Sequence, residues 1–317
     1  MSSVVGHDAA KRTLAQAFRS GRLHHAWLIS GPAGIGKATL ARQFAREVLA
    51  GEDEAAARRV AAGTHADLLL VSRGLDEKRQ TARREIVLDD VRPVSGFLRR
   101  TAAEGGWRVV IVDDADLLNR NAANALLKLI EEPPPRALLL LVSEAPGRLL
   151  ATLRSRCRSL RLAPLDDAAM DAVLRQKLPE LEAAERERLM ALGRGAPGRA
   201  LSLAAGGGLA LSGLVDALLA RQDAGAGPWS YDLAEAVLRH EDGCASFLGL
   251  LSGAISTSLR DAARAGTMPR ETLLALRSPP HWAEVCAGLI TLRDETGRLA
   301  LDRRQAVLSA LTLLGTS

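Results

Sequence analysis

The chain has 317 residues, 47% hydrophobic and only 3% aromatic, with a formal net charge of +5. That length allows two or three domains and a sizeable core, built mostly of Leu, Ala, Val and Ile, a composition that favours helix. The charge permits a nucleic-acid or acidic partner without demanding one, and no apolar run is long enough to span a membrane. Cys157, Cys244 and Cys286 lie far apart and are odd in number, which fits neither a zinc site nor a disulfide framework and suggests a reducing, cytoplasmic setting. Met1-Ser2-Ser3 leads directly into a helical pattern, so no signal peptide is expected. Of the 42 cationic residues 37 are arginines, which reads as a GC-rich coding bias.

In chain order, a helix is expected over 8–20, a strand over 26–30 and a helix from 37 to about 49. A second strand is expected over 68–72. Residues 73–85 mix Arg73, Lys78, Arg79, Arg83 and Arg84 with Asp76, Glu77 and Glu85. They read as a solvated loop, or a ragged hairpin with 85–88; a DNA-facing loop is the sharper alternative. Residues 108–112 form a continuous apolar strand. Apolar positions 122, 125, 126, 129 and 130 give a helix over 121–131, stopped by Pro133-Pro134-Pro135. Strands follow at 137–142 and 158–162. Runs apolar on both faces and separated by helices indicate a parallel sheet covered on both sides.

After Pro164 no further strand is expected. Residues 165–205 read as short helices broken at Pro179 and at 193–198, and Gly206-Gly207-Gly208 reads as a linker. The remainder is helical, with core stripes at Leu248, Leu251, Ile255, Leu259 and Ala262 and at Val307, Ala310, Leu311 and Leu314. The expected organisation is an α/β domain over 1–163, a small helical domain over 164–207 and an all-α domain over 208–317.

Gly31-Pro32-Ala33-Gly34-Ile35-Gly36-Lys37-Ala38 is the most informative segment. It keeps the G-x-x-x-x-G-K frame of a phosphate-binding loop, between a strand and a helix. Backbone N–H groups and the helix dipole would converge there on phosphate oxygens, with Lys37 reaching the outer phosphates. The Ser or Thr that should follow the lysine, and would ligate magnesium, is Ala38. The strand over 108–112 ends in Asp113-Asp114, where a carboxylate would hold magnesium through water. ATPases of this type place Glu where Asp114 stands. A misplacement of about 1 Å at a catalytic group costs on the order of 100-fold in rate. Two hydrolytic parts are therefore weakened together. The plainer readings are that the glycines shape a strand-to-helix turn and that the two aspartates end a strand.

Further segments carry a family resemblance. Ser155-Arg156-Cys157 precedes the last strand, and Asn124-Ala125-Leu126-Leu127-Lys128 runs into Glu131-Glu132-Pro133-Pro134. With the loop and Asp113-Asp114, they resemble the AAA+ clamp-loader subunits of bacterial DNA polymerase III, nearest to the non-motor delta-prime branch. Val5-Gly6-His7 and Arg22-Leu23-His24-His25-Ala26 are similar to the family's adenine-contacting N-terminal segment. The specific motifs cover roughly residues 4–200; beyond 210 the likeness is only helical character and length.

The resemblance implies an AAA+ α/β domain, a helical lid and a helical collar in a heteropentameric ring, with ATP sites between subunits. It makes Arg156 a trans-acting arginine finger for a neighbour's site, the alternative being that Arg156 pairs locally. It places Gly31, Gly34, Gly36, Lys37, Thr39, Asp113 and Asp114 around a nucleotide, with Ser143 sensing the γ-phosphate and Arg199 as a second sensor in the lid. Implied partners are motor gamma/tau subunits, delta subunits, the sliding clamp indirectly, and primer-template DNA. No cofactor is required; ATP with magnesium could bind without efficient hydrolysis, so little or no ATPase of its own is expected. The family's four-cysteine zinc module is missing: its region, 58–68, has no cysteine and a lone His65, so no metal is expected. Competing readings are an active motor subunit or helicase loader, and a P-loop kinase or GTPase.

Overall fold

Apolar residues on both faces of β1 (Ala26–Ser30), β5 (Arg108–Val112) and β6 (Ala137–Ser143) require cover on both sides, and each of these strands is buried along its whole length. The structure is a computed structural model that describes residues 4–76, 81–104, 106–222 and 227–315. The other described strands are β2 (Leu68–Val71), β3 (Leu75–Asp76), β4 (Thr81–Ala82) and β7 (Arg158–Arg161). The main sheet has the order β2-β5-β6-β1-β7, every pair parallel. β3 and β4 form a separate antiparallel ribbon.

Strand alternation splits the core in two. Trp27, Ile29, Val109, Ile111, Leu138 and Leu140 pack with Leu14, Phe44 and Val48 of the helices Asp8–Arg19 and Lys37–Ala50. Leu28, Val110, Val112, Leu139 and Leu141 pack on the opposite face with Val94, Leu126 and Ile130 of Leu88–Arg99 and Arg120–Glu131. Period-two alternation sends neighbours to opposite faces, so each central strand feeds both clusters.

The expected strands and early helices agree with these bounds to within about two residues. Three α-helices before residue 164 were not expected: the short Ala151–Ser155 and two longer ones. Glu54–Ala62 is capped by Asp53, whose carboxylate accepts the Ala55 and Ala56 amides, and ends at left-handed Gly63. Leu88–Arg99 carries Pro93 inside it. The alternative of a ragged hairpin with 85–88 is not seen there: Ile86 makes one bridge, to Leu118, and that helix follows. Within the 73–85 segment, Glu77, Lys78 and Arg79 lie outside the described residues.

The chain divides into two compact units, residues 1–179 with 194–199, and residues 180–193 with 200–317. The second holds no strand among its described residues. There Gly243–Ala265 and Pro279–Leu299 are the long helices. Leu248, Leu251, Ile255, Ala262, Val307, Ala310, Leu311 and Leu314 are buried as the stripes require; Leu259 is half-buried. The glycine run at 206–208 is a tight helix junction rather than a linker. Gly207 has φ +72°, and a Cβ there would sit 2.1 Å from His240 Nδ1. Among the described residues no single helix is long and apolar enough to cross a membrane.

Candidate nucleotide site and a surface arginine

The C-terminal ends of β5, β6 and β1 lie side by side, the place where parallel α/β sheets bind ligands. β1 ends at Ser30, in register with Ser143 of β6. Gly31 then donates its N–H to the Ser143 carbonyl at 3.3 Å. Gly36, in the left-handed conformation, caps the helix Lys37–Ala50. Among the described residues, the amides of Gly34, Gly36, Lys37 and Ala38 make no hydrogen bond. These free amides, at the positive end of a helix, form an anion cradle. His7 reaches the same loop, its Nε2 donating to the Ile35 carbonyl at 2.8 Å.

Lys37 is only 6% exposed. Its ammonium donates to the Pro32 carbonyl at 2.8 Å and lies 3.4 Å from Glu144 Oε1. Glu144 is held in turn by its amide, which donates to Asp116 Oδ1 at 3.0 Å. The Ser143 side chain is fully buried and its hydroxyl has no hydrogen-bond partner. The Ala38 methyl packs against the core, while Thr39 is exposed, about 100° further round the helix.

Asp113 donates its N–H to the Val71 carbonyl at 2.9 Å, and its Oδ1 accepts the Asp114 N–H at 3.1 Å. Asp114 adopts φ +51° and pairs with Arg73 at 3.4 Å. Partial burial, then the Asp113 charge, push the Asp114 carboxyl above its ordinary value, with smaller contributions from Glu144 and Asp116; Arg73 opposes the rise. Gly198 donates its N–H to the Gly34 carbonyl at 2.7 Å. That contact docks the first turn of the helix Pro197–Ala205 on the loop and brings the Arg199 backbone beside Gly34. The Arg199 side chain is exposed.

Arg156 lies elsewhere. β7 runs parallel to β1 with Arg158 opposite Trp27 and Arg161 opposite Ser30. Arg156, before the strand begins, is therefore at the opposite end of the sheet from the loop, at least about 10 Å away at 3.3 Å per residue. Its guanidinium pairs with Glu131 at 3.0 Å and donates to the Thr152 carbonyl at 3.0 Å, and its side chain is 43% exposed. Local pairing, the alternative to the finger role, is the arrangement within this chain. Its neighbours are engaged differently: Arg154 donates to the Pro146 carbonyl at 3.1 Å, and Arg158 lies 4.9 Å over the Trp27 ring. Burial pushes the Cys157 thiol up to about 11.

His65 is buried; its Nδ1 accepts the Asp67 N–H at 3.1 Å and its Nε2 faces Glu104 at 3.3 Å. Among the described residues no three His, Cys, Asp or Glu side chains are grouped to hold a metal. Sequence reasoning missed Glu144, Asp116 and the pairing role of Glu131. Glu144 follows Ser143 at a strand's C-terminal end, which was the one usable signal.

A family profile described as DNA polymerase III, delta subunit, matches residues 6–166. The chain belongs to the clamp-loader delta-prime family of DNA polymerase III. It is 40% identical over 182 residues to the delta' subunit of Pseudomonas aeruginosa, covering 55% of this chain and 53% of that protein. It is 31% identical over 239 residues to the tau subunit of Escherichia coli K12, covering 70% of this chain and 36% of that one. This clamp-loader family member thus spans about half or less of the length of these relatives. A DNA polymerase III gamma subunit-related protein from Thermotoga maritima aligns over 95% of this chain and 98% of its own, with a TM-score of 0.51 at 17% identity. The likeness is one of fold, and the fold is the AAA+ type.

Proposed function

We propose that this chain is the non-motor delta-prime subunit of a cytoplasmic clamp loader, and that Arg156 serves the ATP site of a neighbouring motor subunit. The observation that carries this reading is the placement of Arg156: half-exposed, and at the end of the sheet remote from the chain's own loop. An arginine so placed is far from its own phosphate cradle and free to reach outward. Its pair with Glu131 is a surface ion pair, worth about 0–1 kcal/mol, so exchange for a phosphate on another subunit costs little.

Gly31, Gly34, Gly36 and Lys37 would hold the phosphates of a nucleotide at the chain's own site. Ser143 offers a buried hydroxyl there, Arg199 lies on the adjoining helix, and Thr39 and Asp113 flank the cradle. Bound ATP would supply the phosphate charge that these groups neutralise. The Ala38 methyl, turned onto the core, offers no oxygen to magnesium, and Asp114 is engaged by Arg73. Turnover at this site is therefore slow or nil, and no zinc is needed. Partners are gamma/tau and delta subunits, with the sliding clamp and primer-template DNA reached through the assembled ring.

The test is Arg156→Ala in a loader reconstituted with gamma/tau and delta subunits, clamp and primed DNA. Removing such a finger lowers the rate at the served site by about 10³ or more, so DNA-stimulated ATPase should fall by that site's share while assembly persists. Unchanged ATPase in an intact assembly rejects the proposal.

A further inference from the structure

We infer that Glu144 is an internal counter-ion that occupies Lys37 in place of a phosphate, and so sets the affinity of the loop for polyphosphate anions. The inference rests on the reading of Gly31–Lys37 as a phosphate site and is independent of Arg156.

Lys37 has three N–H donors. One is spent on the Pro32 carbonyl at 2.8 Å, and the ammonium faces Glu144 Oε1 at 3.4 Å. A lysine whose side chain is only 6% exposed requires an anionic or strongly polar partner for its ammonium, because desolvation without one is costly. Glu144 meets that requirement with a side chain that is itself 48% exposed. It is therefore a counter-ion that solvent and an incoming ligand can reach. Its backbone N–H donates to Asp116 Oδ1 at 3.0 Å, which anchors the residue beside Lys37.

The neighbouring Ser143 hydroxyl is fully buried and unpartnered. A buried hydroxyl without a partner is uncommon in a completed polar site, and it marks where a further acceptor would be used. Free amides in the loop, an unused hydroxyl on the adjacent strand end and a lysine already neutralised describe a phosphate cradle with its cation engaged. A polyphosphate must displace the carboxylate to gain the lysine. The apparent affinity is then lowered by the fraction of molecules in which Lys37 is free.

The experiment is calorimetric titration of the full chain with MgATP and, separately, with inorganic tripolyphosphate. The variants are Glu144→Gln, Glu144→Asp, Lys37→Ala and the double variant Lys37→Ala/Glu144→Gln, each checked for an unchanged melting profile. Glu144→Gln keeps the side-chain shape and removes the charge. Its dissociation constant should fall about ten-fold or more for both probes, as expected if Lys37 is free about 10% of the time or less. Glu144→Asp should stay near the parent, and the double variant should lose the gain. Equal constants for parent and Glu144→Gln, with Lys37→Ala weakening both, overturn the inference and leave the phosphate site standing. A gain that survives in the double variant also overturns it, because the effect is then general charge removal. If neither parent nor Glu144→Gln binds tripolyphosphate at millimolar concentration, the phosphate-site reading fails and takes the inference with it.

Discussion

Gly34→Ala should destabilise the first unit through two separable effects. Gly34 sits at φ +69°, where a Cβ crowds the following carbonyl at a cost of about 1–2 kcal/mol. That Cβ would also stand 2.7 Å from the Arg199 amide nitrogen and 3.3 Å from the Gly198 carbonyl carbon. Both are backbone atoms and cannot rotate away. The loop must then move off the helix Pro197–Ala205, and the 2.7 Å hydrogen bond from the Gly198 N–H to the Gly34 carbonyl is lost. Such a bond is worth about 0.5–1.5 kcal/mol net, giving a total of about 1.5–3.5 kcal/mol. Gly36→Ala supplies the internal control: φ is +100° but nothing lies within 4 Å of the added Cβ, so only the conformational cost of about 1–2 kcal/mol applies. Urea unfolding of the whole chain gives the free energies, and hydrogen exchange at β1 and β6 amides assigns the transition to the first unit. If Gly34→Ala is no costlier than Gly36→Ala, the claimed docking of the loop on Gly198 and Arg199 is wrong.

Two further outcomes follow from burial. The Asp114 carboxyl is raised above its ordinary value of 3.8, so the folded chain holds that proton more tightly than the unfolded one and the ionised carboxylate costs stability at neutral pH. Asp114→Asn keeps a residue type that tolerates φ +51°. It should be more stable than the parent at pH 7, with the gap closing as the pH falls towards 4; a lower stability at pH 7, or a gap that does not narrow, contradicts the assignment. Cys157, with its thiol pushed up to about 11 by burial, should alkylate with iodoacetamide at pH 8 far more slowly than a free model thiol. Labelling at the model rate would show that the turn carrying Arg156 opens readily.

Legibility followed locality. β1, β5 and β6 could be read because, Arg108 at the start of β5 apart, every residue in them is apolar or small enough to bury, a pattern with few alternatives at that length. The helix Leu88–Arg99 could not, because Pro93 and Gly96 break the local propensity and only packing of Val91, Val94 and Leu98 on the sheet sustains it. Glu54–Ala62 was readable in principle, since Asp53 and Gly63 are ordinary cap signals. The loop 31–37 is contiguous and was visible as a motif. The carboxylates that engage its lysine and the surface arginine lie 107 residues from Lys37 and 25 residues from Arg156. No spacing rule links residues so far apart; the pairing of β1 with β6 brings Glu144 to Lys37, and packing of the helix Ala151–Ser155 on Arg120–Glu131 brings Arg156 to Glu131.

The two pairs differ in what it takes to break them, and this asymmetry bears on the proposed division of labour. Arg156 and Glu131 are both about half-exposed, so water takes over when they part and the cost is at most about 1 kcal/mol. Lys37 is almost fully buried, so parting it from Glu144 without an incoming anion leaves a desolvated cation, a loss that in fully buried pairs reaches about 3–5 kcal/mol. The half-exposure of Glu144 lowers that figure but leaves the order unchanged. On the proposed reading, the chain therefore releases its outward-facing cation easily and its inward-facing one reluctantly. A subunit that turned over its own nucleotide would need the reverse, a lysine available to phosphate in every cycle. The loss of the hydroxyl at Ala38 and the retention of a readily released Arg156 then share one physical basis, a cradle neutralised from within beside a positive charge held loosely at the far end of the sheet.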